Sequence, residues 1–179
     1  SLHGKSVENK DPLAPSCADC HTAHNILSKD NPKSQTNPIH IPNMCAQCHA
    51  EDAAVAKTRN VSQHDILTNY EDSMHARGLL EQGLKVTAVC TSCHTAHNVQ
   101  PHTDPQSTIH RDNVVATCTQ CPALIEELHR KVINGELWEQ DPQKVPVCVD
   151  CHQAHEARKV FYDEGVSDRA IDESTLDGY

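Results

Sequence analysis

The ten cysteines of this 179-residue chain all fall into pairs of the form Cys-x-x-Cys, and none is left over. The pairs are Cys17/Cys20, Cys45/Cys48, Cys90/Cys93, Cys118/Cys121 and Cys148/Cys151. A disulfide scaffold has no reason to space every pair in this way, because such small closed loops stabilise a fold little. A thioredoxin-like pair requires a βαβ setting that the sequence lacks, and zinc ribbons separate their pairs by about 15–20 residues. Here 24 residues separate Cys20 from Cys45, so the pairs point to another chemistry.

Four of the five pairs are followed directly by histidine, in the pentapeptides CADCH, CAQCH, CTSCH and CVDCH. Cys-x-x-Cys-His is the attachment signature of c-type haem. Two thiols three residues apart on a helical turn reach the two vinyl groups of one porphyrin as thioethers, and the next side chain is aimed at the iron from the same face. The sequence therefore predicts four covalent haems with the proximal iron ligands His21, His49, His94 and His152.

From these motifs and the surrounding histidines, residues 1–155 resemble the multihaem c-type cytochromes, in particular those with doubled Cys-x-x-Cys-His motifs. The resemblance implies a mostly irregular fold with short α-helices, in which stacked haems replace the apolar core. The composition agrees, since one Phe, one Trp, three Tyr and two Met are available to fill an interior. The resemblance also implies a periplasmic or extracellular protein. No signal peptide stands at Ser1, so we expect a mature or trimmed sequence.

The motifs lie on an internal repeat. CADCHTAHN at 17–25 and CTSCHTAHN at 90–98 match at seven of nine positions, and in both copies the next Cys-x-x-Cys begins 28 residues after the first. We predict repeat A at 1–49, a linker at 50–70, repeat B at 71–122, a partial repeat C at 123–155 and an acidic C-terminal tail at 156–179. Apolar residues at helical spacing predict helices at 71–83 and 122–135, and a short helix is expected within 50–60.

Ten histidines remain for the second axial position of each iron. With only two methionines present, bis-histidine, low-spin iron of relatively low potential is expected. In the CHxxH element, positions i and i+3 share a helical face, so His21 and His24 should ligate different haems. The distal candidates are His3, His24, His75, His97, His129 and His155, with His40 and His110 in reserve. Core or surface roles are the alternative for each.

The repeat suggests one assignment of these distal candidates. It gives His3, His24, His75 and His129, in that order, to the haems of Cys17/Cys20, Cys45/Cys48, Cys90/Cys93 and Cys148/Cys151.

The fifth pair, CTQCP, has Pro122 where the others have histidine, and proline offers no iron ligand. Three interpretations stay open. Cys118 and Cys121 are vestigial, as a local disulfide or free thiols; or a fifth haem is attached there, with His97 on one side; or the sequence contains an error. A haem without its proximal histidine has an open coordination position, which is the feature of a reductase site.

Iron with two histidine ligands has no open position, so the first functional hypothesis is electron transfer without catalysis. Redox partner proteins or an extracellular acceptor would exchange the electrons. The second hypothesis is a conductive filament, a homopolymer, because the resemblance extends to cytochromes that share haem ligands between subunits; His3 and His155 lie near the ends of the haem region. The third is a reductase of small oxyanions at the Cys118/Cys121 haem.

Net charge narrows the choice of partners. The chain carries −10 before any haem propionate is added, which disfavours nucleic acid and anionic membranes. No stretch approaches the ~20 apolar residues of a membrane span.

Overall fold

The computed structural model describes residues 1–59, 63, 65–120 and 147–157. Within these ranges the chain is mostly irregular, with short helices and no strand, which confirms the predicted coarse class. The helices are α1 (Leu2–Glu8), α2 (Cys17–His21), α3 (Ile41–His49), α4 (Ala54–Thr58), α5 (Ile66–Glu71), α6 (Met74–Ala76) with a π-helical turn (Arg77–Glu81), α7 (Cys90–His94), α8 (Val114–Cys118) and α9 (Cys148–Cys151). None of these described helices is long and apolar enough to cross a membrane.

Three of the Cys-x-x-Cys motifs open a helix, namely those of α2, α7 and α9. In each, the residue before the helix donates its N–H to the side chain of the third motif residue. The bonds are Ser16 to Asp19 at 2.7 Å, Val89 to Ser92 at 3.1 Å and Val147 to Asp150 at 2.8 Å. This is half of a capping box, which satisfies a backbone donor at the helix start. It explains why the third motif residue is Asp or Ser in these copies.

The other two motifs lie at the end of a helix. Helix α3 carries CAQCH in its last turns, and α8 ends at Cys118, the first residue of CTQC. The C-terminal end of a helix has unsatisfied carbonyls and no unsatisfied N–H groups. An Asp or Ser side chain that accepts a hydrogen bond from a backbone N–H therefore has no capping role there. Both of these motifs have glutamine, Gln47 and Gln120, at the third position.

The loops that follow α2 and α7 repeat the same hydrogen bonds. The buried Ser34 hydroxyl donates to the Leu27 carbonyl at 3.1 Å, and the buried Ser107 hydroxyl donates to the Gln100 carbonyl at 3.2 Å. These residues occupy matching positions of repeats A and B, 73 residues apart. The structure therefore reproduces the sequence repeat in its irregular segments, and the loop brings α3 and α8 to equivalent places.

A second repeated bond joins each repeat to the next. The Leu2 N–H donates to the Val99 carbonyl at 2.8 Å, and the Met74 N–H donates to the Ala157 carbonyl at the same distance. Leu2 and Met74 each precede a histidine, while Val99 and Ala157 each lie two residues after a CHxxH element. The start of one repeat is thus fixed beside the CHxxH element of the following one.

The predicted helix at 71–83 is present as α6 and the π-helical turn that follows it, from Met74 to Glu81, and it begins three residues later than predicted. Helix α5 ends at Glu71, and Ser73 begins a new helix by accepting the Ala76 N–H on its hydroxyl at 3.2 Å. The expected helix within 50–60 is present as the shorter α4. The predicted helix at 122–135 and the tail from residue 158 onward lie outside the described residues.

The apolar core is small. Ile41 of α3, Leu79 of the π-helical turn and Val89 before α7 form its centre, with Met44, Cys45 and Cys90 packed at its edge. In the described part of the chain seven hydrophobic residues are buried, while nine large ones are exposed. In this part of the chain, more large apolar side chains are exposed to water than are buried.

Truncation of Leu79 tests this core. Leu79 is 1% exposed, so Leu79→Ala should lower the free energy of unfolding by about 2–4 kcal/mol through lost burial and a residual cavity. Its neighbour Leu80 is 49% exposed, and Leu80→Ala is the matched control with an expected effect under about 1 kcal/mol. Urea denaturation followed by circular dichroism measures both. Equal losses for the two variants would contradict the assigned core.

Candidate functional site

The most regular feature of the site is a set of three histidine pairs. Each pair joins a histidine that follows a Cys-x-x-Cys motif to one from a different segment of the chain. The pairs are His3 with His49, His21 with His97, and His94 with His155, with ring centroids 6.1, 5.9 and 6.1 Å apart and interplanar angles of 36°, 10° and 9°, respectively.

This separation matches the spacing of two imidazoles that share one metal ion. With a metal–nitrogen distance of about 2.0–2.1 Å on each side, the two ring centroids lie about 6 Å apart. The near-parallel planes of two of the pairs exclude edge-to-face packing. Offset stacking spans a similar distance, yet stacking gives no reason for every pair to contain one motif histidine. The residues present therefore fit an iron held between two imidazoles.

Burial favours the neutral form of four of these rings, His3, His49, His94 and His155, by lowering their pKa. Loss of solvent lowers the pKa of His49 and of His94, and so do the neighbouring charges, from His3 and His94 at His49 and from His155 at His94. Burial likewise lowers the pKa of His3 and His155. A neutral imidazole has a nitrogen lone pair available to a metal, whereas imidazolium has none.

The ring of His155 is also oriented by a hydrogen bond. Its Nδ1 donates to the Gln63 side-chain oxygen, which leaves Nε2 as the nitrogen with a free lone pair. Metal-bound histidines characteristically donate their second N–H to such a partner. A cavity of about 450 Å³ lies beside this ring, lined also by Val149 of the CVDC motif and by Asn69.

The thiols of successive motifs lie close together. Cys45 hydrogen-bonds to Cys90 and Cys118 to Cys148, while Cys48 acts electrostatically on Cys20 and Cys93 on Cys118. The pKa of Cys45 is raised mainly by a hydrogen bond with Cys90 and to a lesser extent by burial. The pKa of Cys118 is raised in the same way, by a hydrogen bond with Cys148 and by burial. None of the eight cysteines whose side chains are described forms a disulfide. Motifs that follow one another in the sequence therefore bring their thiols near one another.

The structure gives two reserve candidates other contacts. His40 donates from Nε2 to the Pro32 carbonyl at 3.0 Å, because a carbonyl can only accept. His110 accepts the Asp112 N–H on Nδ1 at 3.2 Å. Each of these rings therefore makes a hydrogen bond within its own loop.

The remaining candidates are placed as follows. His24 and His152 are exposed, and His75 is half-buried with its pKa lowered by burial. Within the described ranges none of these three rings faces a second histidine ring. His129 and Cys121 lie outside the described residues, and nothing is said of the Cys151 side chain.

The geometric pairing differs from the one that the repeat suggested. His3 faces His49 rather than the haem of Cys17/Cys20, and the partners of His21 and His94 come from the CHxxH elements of the following repeat. The three CHxxH elements in the sequence are consistent with this pairing, because the first histidine of one element can face the second histidine of the next. The spacing within one CHxxH element does not indicate that its two histidines pair with other copies.

The expectation that His21 and His24 share a helical face is wrong. Helix α2 ends at His21, because Thr22 takes φ +64° and its N–H closes the helix on Ala18; its hydroxyl then donates to the Asn25 carbonyl at 3.0 Å. Thr95 has a similar positive φ of +62° at the end of α7, although its buried hydroxyl has no hydrogen-bond partner among the described residues. His24 therefore leaves the helix in another direction.

Among the described residues no three His, Cys, Asp or Glu side chains converge on one point. A haem iron needs no such cluster, because the porphyrin nitrogens supply four of its six ligands and the protein supplies at most two axial ones.

Tyr70 makes a hydrogen bond to the backbone just before the CTSCH motif, and this bond gives a pH-dependent test. Its hydroxyl donates to the Ala88 carbonyl at 3.0 Å, and burial raises its pKa to about 12. Because the folded pKa exceeds the ordinary value of about 10, this stabilisation is complete below pH 10 and is lost as the pH rises from 10 through 12. Tyr70→Phe should cost about 0.5–1.5 kcal/mol at neutral pH and should weaken the loss of stability above pH 10. Denaturation of both proteins at pH 7 and above pH 10 measures it; identical pH profiles would refute the assignment.

Comparison of the chain with protein-family models, with curated proteins and with solved structures finds no match. The case for a function therefore rests on the motifs of the sequence and on the geometry of the histidine pairs and thiols.

Proposed function

We propose that this protein transfers electrons through a row of c-type haems with two histidine ligands each. The observation that carries the proposal is the set of three imidazole pairs about 6 Å apart, each of which contains the histidine of a Cys-x-x-Cys-His motif. Among the described residues no other repeated arrangement contains a motif histidine in every copy.

Three sites follow directly from the pairs. Their axial ligands and thioether cysteines are His21 and His97 with Cys17 and Cys20, His49 and His3 with Cys45 and Cys48, and His94 and His155 with Cys90 and Cys93. The fourth site has Cys148, Cys151 and His152, and its second ligand has no described candidate within the same chain. When bound, each haem supplies a one-electron carrier.

Two further observations support a row of closely spaced carriers. The thiols of consecutive motifs approach one another in chain order, as neighbouring porphyrins attached to them near contact would require. The described part of the chain also exposes nine large apolar side chains, which porphyrin faces would cover. With both axial positions filled, such iron passes electrons and does not bind substrate. The expected setting is the periplasm or cell exterior, with redox proteins or an extracellular acceptor as partners.

The first test counts haems and removes one axial ligand. Full-length protein made in a host that attaches c-type haem should show at least four haems by intact mass under denaturing conditions. His97→Ala should convert one haem from low-spin to high-spin, visible in ferric absorption and electron paramagnetic resonance, because His21 then ligates that iron alone.

The matched control is His40→Ala, which removes a ring that donates to the Pro32 carbonyl. It should leave the haem spectra unchanged. A chain without covalent haem, or a His97→Ala protein with an unaltered spin state, would refute the proposal.

A specific observation also favours the filament hypothesis. His21 pairs with His97 and His94 with His155, so each motif histidine meets the CHxxH element of the next repeat. This series leaves His24 unpaired at one end and His152 at the other within the described ranges. His3 and His155, which the sequence analysis assigned to this role, pair inside the chain. We propose that His24 of one subunit ligates the haem of Cys148/Cys151 in the next.

Assembly is tested by His24→Ala. Wild-type protein should form head-to-tail polymers in light scattering and negative-stain microscopy, and the variant should be monomeric with one high-spin haem. His129→Ala is the competing variant, because His129 was the intrachain candidate for the same iron. A wild-type protein that stays monomeric, or a spin change in His129→Ala alone, would exclude the filament.

A further inference from the structure

The side chain of Gln63 makes a long-range contact to one of the paired histidines. Its amide oxygen accepts a hydrogen bond from Nδ1 of His155, a residue 92 positions later in the chain. An amide oxygen can only accept, so the proton lies on Nδ1 and the lone pair on Nε2. Gln63 belongs to the segment between repeats A and B, whereas His155 is the second histidine of the CHxxH element in repeat C. A residue of the linker therefore sets the tautomer of a candidate iron ligand.

This hydrogen bond distinguishes one pair from the others. Within the described ranges, the other five rings of the three pairs make no side-chain hydrogen bond. His21 and His97 provide the comparison, since their rings lie 5.9 Å apart at 10°, against 6.1 Å and 9° for His94 and His155. Two sites of nearly the same geometry therefore differ in the presence of one amide.

The backbone next to His155 is held independently of Gln63. Two residues later, the Ala157 carbonyl accepts the Met74 N–H at 2.8 Å. This bond fixes where the histidine is attached, but its ring can still rotate about the side-chain bonds. A cavity of about 450 Å³ beside the ring leaves space for that rotation. Gln63 restricts the rotation by holding Nδ1.

The hydrogen bond also changes how strongly His155 donates to a metal. An acceptor on Nδ1–H raises the basicity of Nε2. A more basic ligand stabilises ferric iron more than ferrous iron, because the ferric ion carries the greater charge. The reduction potential of an iron bound to this ring is therefore lower with Gln63 in place. Hydrogen bonding outside the ligand shell is one of the means by which a protein sets haem potential.

We propose that Gln63 is a positioning residue, which fixes the ring plane of His155 and lowers the reduction potential of the haem of the CTSCH motif. The inference rests on the proposed function, in which His94 and His155 are the axial ligands of that haem. Gln63 acts through His155 and is not itself an iron ligand. The linker thereby makes this haem differ in potential from the first haem of repeat A.

Paired substitutions at Gln63 test the inference in full-length protein loaded with haem. Gln63→Leu removes the acceptor and should raise the potential of one haem, by about tenfold in the equilibrium constant for its reduction, or about 59 mV. Gln63→Glu supplies a carboxylate, which is ionised at pH 7 and accepts more strongly, so the potential of the same haem should fall. Spectroelectrochemical titration at pH 7 measures both. Shifts in the same direction, or no shift in either variant, would overturn the inference, because a purely structural role predicts no change of sign.

Removal of the ligand identifies the haem that responds. In a His155→Ala background one haem becomes high-spin, and Gln63→Leu should then shift the potential of none of the remaining low-spin haems. A shift that persists in this background would overturn the inference, since Gln63 would act on another site. Wild-type protein without low-spin, bis-histidine haem would overturn the proposed function as well, whereas low-spin haems that do not respond to Gln63 would leave that function standing.

Gln153 offers the matched control. It lines the same cavity, and in the described part of the chain its side chain makes no hydrogen bond to the paired rings. Gln153→Leu should leave every potential unchanged. A rise equal to that of Gln63→Leu would overturn the assignment to Gln63.

Electron paramagnetic resonance gives a second readout, which is sensitive to ring orientation. The g values of low-spin ferric haem depend on the angle between its two imidazole planes, which is 9° for His94 and His155. Gln63→Leu should move the g values of one haem, and Gln63→Glu, which keeps an acceptor, should hold them closer to the wild-type values. Unchanged g values in Gln63→Leu would show that the hydrogen bond does not fix the ring.

Discussion

The pairing of imidazole rings from distant segments is the constraint on which the rest of this structure depends. His21 and His97 belong to different repeats, and so do His94 and His155, so each pair fixes one repeat against the next. The small cluster around Leu79 is too limited to do this by apolar packing. Backbone bonds such as Leu2 to Val99 assist, and under the proposed function a metal shared by two rings would add a short and directional link.

The Cys-x-x-Cys motifs are of two kinds, which lie at opposite ends of their helices. Motifs that open a helix use an Asp or Ser side chain to cap it, as Asp19 and Asp150 do. Motifs that close a helix, such as CAQCH in α3, are held by the preceding helical turns. The two kinds alternate along the chain, and Cys45 and Cys118 of the second kind each hydrogen-bond to the first cysteine of the next motif, Cys90 and Cys148.

The sequence predicted the irregular, helical fold class and the repeat, because motif spacing and composition are local properties of the chain. It did not predict which rings face each other, since the partner of His49 lies at the other end of repeat A and that of His94 in repeat C. The shared helical face assumed for His21 and His24 failed for a local reason, the positive φ of Thr22. The break before Met74 depends on one serine cap, which apolar periodicity does not register.

The wide separation of His21 and His97 along the sequence has a consequence for how the protein is made. In the proposed setting outside the cytoplasm the chain would be exported from its N-terminus, and Cys17 and Cys20 would reach the attachment machinery long before residue 97. Under the proposed function, the first haem is therefore attached while its iron still lacks its second axial ligand. This iron is exposed to peroxide and stray ligands until repeat B has been exported and folded. The rate of translocation, and any chaperone that shields the nascent segment, would then govern the yield of intact protein.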